Sequence, residues 1–572
     1  MSLTSNVKEK ADLIWSIADK LTGVYKPHEY GRVILPLTVI RRFDCVLAEN
    51  KSSVLEVLQK NYPEPLKERN LLQASGYTFY NISPFTLEKI TDAPDSVAAN
   101  FRNYLNGFSK NVRNIIEKFN FDAEIERMDE KNILYMVLKE FTTEKADFHP
   151  NKISNLEMGY VFEEIIRRFS EAHNEDAGQH YTPREVIRLM VNLIFMNDEN
   201  IIKERDAIKT LYDPACGTGG MLSVAKEHLA EINPSIELTT FGQEVNDETF
   251  AICQADTLIK GDDVENIKVG NTLSDDKFSE DHYDYILSNP PFGREWKNEK
   301  TAVMREAKKG FAGRFGAGLP AVNDSQLLFM QTALNKMKPQ GTRIAIIHNG
   351  SPLFTGDAES GPSNIRRYIL EHDFLEAIVA LPNDIFYNTG IATYIWILTN
   401  KKSPERRGKV QLINANEIFT KMRKSLGSKR NEISEEQIKE ISKLHIDFKE
   451  NALCKIFDNE DFGYRKITIE RPLKDDAGNL ILKNGKRQPD SKLRDTENIP
   501  LKENVEDYFS REILPFVPDA WIDEKKTVIG YEIPFTRYFY KYEPPRSTAD
   551  FEKDIRALAK ELTDTLEEVF VR

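Results

Sequence analysis

Asn289-Pro290-Pro291-Phe292 closes the strand-like run Tyr283 to Ser288 and brings together, in four residues, the groups needed to hold an amino nitrogen. Two consecutive prolines remove backbone donors and fix φ, so the sheet cannot continue through them and the turn is stiff. The turn presents an amide side chain, the carbonyl of Pro290 and a ring at the carboxyl end of a strand, which is where open α/β sheets bind ligands. An amide oxygen and a carbonyl accept both hydrogens of an exocyclic amino group, and a neighbouring ring stacks on the base that carries it. The chemistry this suggests is methylation of an amino nitrogen, with Asn289, Pro290 and Phe292 as candidate catalytic residues. The plainer reading is a proline-rich turn capped by Asn289, and the four residues alone weigh the two equally.

A second constellation lies upstream. Leu211-Tyr212-Asp213-Pro214-Ala215-Cys216-Gly217-Thr218-Gly219-Gly220-Met221-Leu222 reads as a strand, a glycine-rich turn and a helix start. Such glycines let backbone approach a ligand at a helix amino end. The GK[ST] element that grips phosphates is missing, and GxGxxG is not matched cleanly. The next strand end supplies Gly242-Gln243-Glu244, and a carboxylate so placed accepts hydrogen bonds from both hydroxyls of a ribose. A surface acid is the commoner fate of a glutamate. The position behind a glycine loop favours the binding role.

Around these residues the composition sets limits. The chain has 572 residues, enough for roughly two to four domains. It is 30% charged and 40% hydrophobic with a mean hydropathy of −0.49, and it shows no apolar run long enough to span a bilayer. No basic-then-apolar leader opens it, so secretion is not expected. The four cysteines (Cys45, Cys216, Cys253, Cys454) form no CxxC or Cys/His cluster, which points to reduced thiols in a cytoplasm and to no metal centre. A net charge of −13 argues against a chain that grips DNA through a broad basic face of its own. If nucleic acid is the substrate, a local basic patch or a partner must supply the grip.

The elements that must position the two constellations follow from periodicity. Residues 1–150 read as a helical domain, with Leu13, Ile14, Ile17, Ala18 and Leu21 on one face and a second apolar set, Val33 to Phe43, that Pro36 interrupts. From 151 to 472 strands alternate with helices. The strands are Thr210 to Tyr212, Thr239 to Phe241, Asp284 to Ser288, Arg343 to His348, Leu375 to Leu381 and Thr393 to Thr399. The helices include Met158 to Ala172, Met221 to Leu229, Asp247 to Ile259, Gln326 to Met337 and Asn364 to Glu371. That repetition predicts an α/β domain with a doubly wound, mostly parallel sheet. Thr182, before Pro183 and Glu185, has the form of an N-cap. Residues 473–572 form a mixed, more charged region that holds a polar, mobile insertion over 474–499 and ends in a helix striped by Ile555, Leu558, Leu562, Leu566 and Val569.

At this point the chain resembles a family. Asp213 to Gly220 is similar to the cofactor loop of S-adenosylmethionine-dependent amino-methyltransferases, and Asn289 to Phe292 to their catalytic motif. Gln179-His180-Tyr181-Thr182-Pro183-Arg184, Gly270-Asn271-Thr272-Leu273, Leu381 to Ile391 and Phe462 to Ile467 resemble the modification subunit of type I restriction-modification systems. The resemblance spans most of the chain and is weakest over 474–500. It implies a Rossmann-like methyltransferase fold and S-adenosylmethionine as cofactor. Gln179, His180, Tyr181, Thr182, Pro183, Arg184, Thr218, Gly219 and Gly220 would wrap the methionine end, Asp213 would be a further cofactor-binding residue of the loop, and Glu244 would bind the ribose. Asn271 would lie near the adenine, where many relatives carry an aspartate.

The implied reaction is transfer of a methyl group to N6 of an adenine flipped out of DNA and stacked on Phe292, with Tyr181 as a second wall. The implied partners are DNA, a separate specificity subunit that chooses the site, and a restriction subunit, with two copies of this chain per specificity subunit. Gly293 to Pro320 is net basic and glycine-rich, as suits a mobile loop closing over DNA. The rival readings are a catalytically silent scaffold in a DNA-binding complex, and methylation of cytosine N4 or a protein glutamine.

Overall fold

Strand and helix signals that alternate from position 208 onward build one nine-stranded sheet. The computed structural model describes residues 5–171, 182–196, 205–387, 389–475, 478–540, 542 and 547–570. The strands are β1 (Ile208–Asp213), β2 (Glu237–Glu244), β3 (Ile267–Val269), β4 (Tyr285–Ser288), β5 (Arg343–Asn349), β6 (Leu375–Ala380), β7 (Thr393–Thr399) and β8 (Lys409–Asn414). A hairpin, β9 (Thr420–Leu426) and β10 (Lys429–Glu432), stands outside the sheet, and β11 (Cys454–Asp458) completes it. The order across the sheet is β11-β8-β6-β7-β5-β4-β1-β2-β3. Pairing is parallel except where β7 runs against β5 and β6, and β11 against β8. The expected doubly wound, mostly parallel Rossmann-like architecture is present, widened at one edge by β8 and β11.

Strands β5, β6 and β7 read as nearly unbroken apolar runs because both their faces are covered. One face packs on the helices Arg184–Phe195, Gly220–Ile232 and Glu435–Asp447. The chain passes from β1 to β2 and β3 on one side and returns to β4 on the other. The crevice over the carboxyl ends of β1 and β4 is therefore the switch point at which such sheets bind ligands.

The N-terminal helices, from Ser5–Leu21 to Leu134–Phe141, bury one continuous core. That core does not stop at the domain's own residues. Ala251, Ile252, Ala255, Leu258 and Ile259, all on the helix Asp247–Ile259 that follows β2, are part of it. The break expected at Pro36 does not occur: Gly31–Leu47 is one helix through the proline. A single backbone bond is forgone there, and burial of nearly every side chain from Val33 to Leu47 outweighs it.

The insertion after 473 is more ordered than expected. Leu482–Lys483 pairs with Lys486–Arg487, and Asp495–Pro500 pairs with β12 (Gly463–Glu470). β12 also pairs with Val528–Tyr531, so this small antiparallel sheet draws on both sides of position 472. A separate unit, Pro534–Arg572, carries the helices Phe535–Phe539 and Thr548–Phe570. On the latter, Phe551, Ile555, Leu558 and Leu562 are exposed. Among the described residues no helix is long and apolar enough to cross a membrane.

Candidate active site

β4 ends at the Asn289 to Phe292 turn because Pro290 and Pro291, both buried, cannot extend its ladder. The Asn289 side chain is fixed from one end. Its Nδ2 donates to Thr182 Oγ1 at 2.9 Å, while its Oδ1 is buried and has no hydrogen-bond partner among the described residues. A buried amide acceptor left unpaired is costly and rare, so its presence at a strand end marks a place for a donor. Thr182 is not the helix cap expected from its sequence context. The helix begins at Arg184 with Pro183 in the cap position and no side-chain cap bond, and the threonine hydroxyl serves Asn289 instead. Phe292 is half-buried, and the edge of Phe386 meets it with centroids 6.1 Å apart at 84°.

The glycine turn is tied to its neighbours by side chains. Asp213 Oδ1 accepts from Ala215 N and from Ser288 Oγ, each at 3.0 Å. Burial pushes the Asp213 carboxyl up to about 7. Glu244 is buried at the end of β2, where its Oε2 accepts from Gly217 N at 2.8 Å and its Oε1 from Val245 N and Asn246 N at 2.9 and 2.8 Å. Gly219 has a φ of +83°, and a Cβ there would meet Cys253 Sγ at 2.7 Å, so only glycine fits. Thr218 is half-buried in the same turn.

Arg184 does not reach the crevice. Its guanidinium donates to Gly220 O at 3.1 Å and to Glu163 Oε1 at 2.6 Å, and it lies 4.5 Å from the Tyr160 ring centroid. It braces the glycine turn from behind. Gln179, His180 and Tyr181 lie outside the described residues.

A cleft of about 510 Å³ opens over β1, β2 and β4, lined among others by Glu244, Asn271, Glu299, Ser325 and Phe329. Glu244 and Asn271 both line it, whereas Gly219 borders a separate hollow of about 290 Å³. The turn carrying Asn271 is held by Gln243, whose Nε2 donates to Gly270 O at 3.1 Å, and by Thr272 Oγ1, which donates to Pro214 O at 2.5 Å. Nothing in the immediate neighbours of Glu299 and Ser325 distinguishes them in the sequence, whereas Phe386 falls within the Leu381 to Ile391 stretch that carries the resemblance without a role being assigned to it.

Gly293 to Pro320 is a folded wall rather than a mobile loop. Trp296, Val303 and Phe315 are buried, and Lys300–Ala307 is helical. The Arg314 side chain is buried too and donates to Thr272 O at 2.7 Å and Leu273 O at 3.2 Å. Lys297, Lys300, Arg305, Lys308 and Lys309 remain exposed on it.

Residues 154–470, more than half of the chain, match the family model described as N-6 DNA methylase. The chain belongs to the N-6 DNA methylase family. Residues 11–141 match the HsdM N-terminal domain. A type I restriction enzyme MjaIX methylase subunit from Methanocaldococcus jannaschii is 26% identical over 452 residues, 75% of each chain. A type I restriction-modification methyltransferase subunit from Streptococcus thermophilus superposes with a TM-score of 0.62 at 21% identity, over 80% of this chain and 97% of its own. A chain from a structure of type I R-M complex assembly and conformational transition gives a TM-score of 0.50 at 18% identity over 99% of both chains. The resemblance to type I modification subunits, the fold, and the enzyme class of a DNA methyltransferase are thus borne out for this N-6 DNA methylase.

Proposed function

We propose that the chain is the modification subunit of a type I restriction-modification complex and methylates N6 of a flipped-out adenine, at sites chosen by a separate specificity subunit. The observation that carries this is Asn289: an amide anchored through its nitrogen to Thr182, with its oxygen buried and unpaired among the described residues at the end of β4. That oxygen and the Pro290 carbonyl would accept the two N–H bonds of the target amino group. The nitrogen of adenine is a weak nucleophile because its lone pair is delocalised into the ring. Holding both hydrogens in fixed directions orients that lone pair, and neither acceptor has to act as a strong base. Phe292, steadied by Phe386, would stack on the base and offset part of the few kcal/mol that flipping costs.

The cleft fits S-adenosylmethionine. Glu244 lines it with the acceptor chemistry a ribose diol needs, and Glu299 Oε2 and Ser325 Oγ, both on its wall, are buried without partners among the described residues. When bound, that cofactor supplies an electrophilic methyl on its sulfonium. Glu244 and the Asn271 turn would hold its nucleoside, and the Asp213 to Gly220 turn, braced by Arg184, its methionine end.

The charge balance supports site choice by another subunit. A net −13 leaves only local cations, such as the five exposed on 297–309, to meet phosphates. The exposed apolar stripe of Thr548–Phe570 offers a face for the partner. In the assembly we propose, two copies of this chain serve one specificity subunit, and a restriction subunit cleaves.

The test is to assemble the chain with its specificity subunit, add S-adenosylmethionine and DNA, and identify the methylated nucleoside by mass spectrometry. N6-methyladenine at defined sites is expected from the complex and little from the chain alone. N4-methylcytosine, methylated protein only, or robust site-specific activity of the isolated chain would overturn the reading.

A further inference from the structure

Glu299 is 7% exposed and lies on the wall of the 510 Å³ cleft. Its Oε1 accepts from Asn271 Nδ2 at 2.6 Å, and its Oε2 is buried with no hydrogen-bond partner among the described residues. The Asn271 amide can adopt only one sense. Its Oδ1 accepts from Leu273 N at 3.0 Å and Ser274 N at 3.4 Å, so its NH₂ must face Glu299. Asn271 therefore has no acceptor left for a ligand, and the free acceptor beside it belongs to Glu299.

The backbone holds that acid in place. Glu299 stands at the start of the helix Lys300–Ala307, with Val303 N donating to its carbonyl at 3.0 Å. Trp296, three residues before it, is buried and donates from Nε1 to Ala321 O at 2.9 Å. A dry, unpaired carboxylate oxygen is unfavourable until a donor reaches it. The apolar side chains Val245, Leu273 and Phe329 on the same cleft suit a flat heterocycle.

Resting on the cofactor reading above, we infer that Glu299 is the specificity-determining residue for the cofactor's base. Its Oε2 accepts from the exocyclic amino group of the adenine, with Asn271 as the positioning residue that sets its direction. The acceptor for that amino group then comes from the segment that follows Asn289 to Phe292. The cleft then discriminates against a purine with an oxygen at the same ring position, because two acceptors would face each other.

Isothermal titration of the full-length chain with S-adenosylhomocysteine and with its 6-oxo counterpart, S-inosylhomocysteine, tests this. Wild type is expected to prefer the amino compound by roughly tenfold or more. In Glu299→Gln, Asn271 Nδ2 still claims the side-chain oxygen, which turns an NH₂ towards the ligand. The preference should then collapse or reverse. Glu299→Ala serves as the second variant and should bind both compounds about equally, each variant being checked for a cooperative melt. Equal affinity of wild type for the two compounds overturns the inference, as does a wild-type preference retained by both variants, and either result leaves the cofactor reading standing. Wild type that binds neither compound overturns both.

Discussion

Ser288 donates its hydroxyl hydrogen to Asp213 Oδ1 across 3.0 Å, so the last residue of β4 is tied to the last residue of β1. The same oxygen also accepts Ala215 N at 3.0 Å. One buried acid thus ties the strand that delivers the Asn289 turn to the strand that delivers the glycine turn.

That acid makes stability depend on pH. Burial pushes Asp213 up to about 7, so the folded chain keeps a proton that the unfolded chain gives up near pH 4. Its contribution is most favourable below the unfolded value and is lost as pH rises through the folded one. Asp213→Asn keeps an acceptor at Oδ1 and abolishes the titration. Its stability relative to wild type should rise by roughly 2–3 kcal/mol between pH 5 and pH 8. Denaturant melts at the two pH values check this, and a constant offset between the proteins would count against it.

Asn289→Ala should cut methyl transfer by the assembled enzyme by about 10²-fold or more while leaving S-adenosylhomocysteine affinity within about twofold. Thr182→Val removes the hydroxyl that accepts Asn289 Nδ2 and frees the amide to rotate, which should cost about tenfold in kcat. Single-turnover kinetics beside a binding titration separate the two effects. A matching loss of cofactor binding would assign Asn289 to the other pocket.

Phe292→Ala should weaken productive base capture by about 1–3 kcal/mol, the usual worth of a base–aromatic stack. Phe386→Ala, which removes the edge contact on Phe292 without touching the base, should give a smaller loss. The fluorescence of 2-aminopurine at the target position reports the flipped population. Unchanged fluorescence in Phe292→Ala would remove that ring from the base pocket.

Arg184→Met should destabilise the fold by about 3–5 kcal/mol, because it leaves the Glu163 carboxylate and the Gly220 carbonyl without their donor. Arg184→Lys restores the charge but not both bonds and should fall between. Urea midpoints measure it. A Met variant as stable as wild type, with only cofactor affinity reduced, would place Arg184 in the cleft instead.

What could be read beforehand follows from where the information sits in the chain. The helix Asp247–Ile259 and the strand Thr393–Thr399 have the bounds their periodicity implies, because each is a local pattern. Asn289 to Phe292 was legible as chemistry because its acceptors and its ring are consecutive. Pro36 misled because a local rule was overridden by burial that only the tertiary fold supplies. Gly293 to Pro320 misled for a related reason: its glycines and cations suggested mobility, while Trp296, Val303 and Phe315 anchor it. Thr182 has the form of a cap, but its hydroxyl meets an amide 107 positions away. Glu299 was illegible for the same cause, since its meaning depends on an asparagine 28 positions earlier whose own acceptor is already occupied.

The core shared by the N-terminal helices and the helix Asp247–Ile259 bears on how this enzyme can be taken apart. Matches to two family models, ending at 141 and beginning at 154, invite a cut between them. A fragment starting there would expose Ala251, Ile252, Ala255, Leu258 and Ile259 to water, on the helix that directly follows the Glu244 strand. The two matched segments share one apolar core, so trimming the first unsettles the helix that carries the chain away from Glu244.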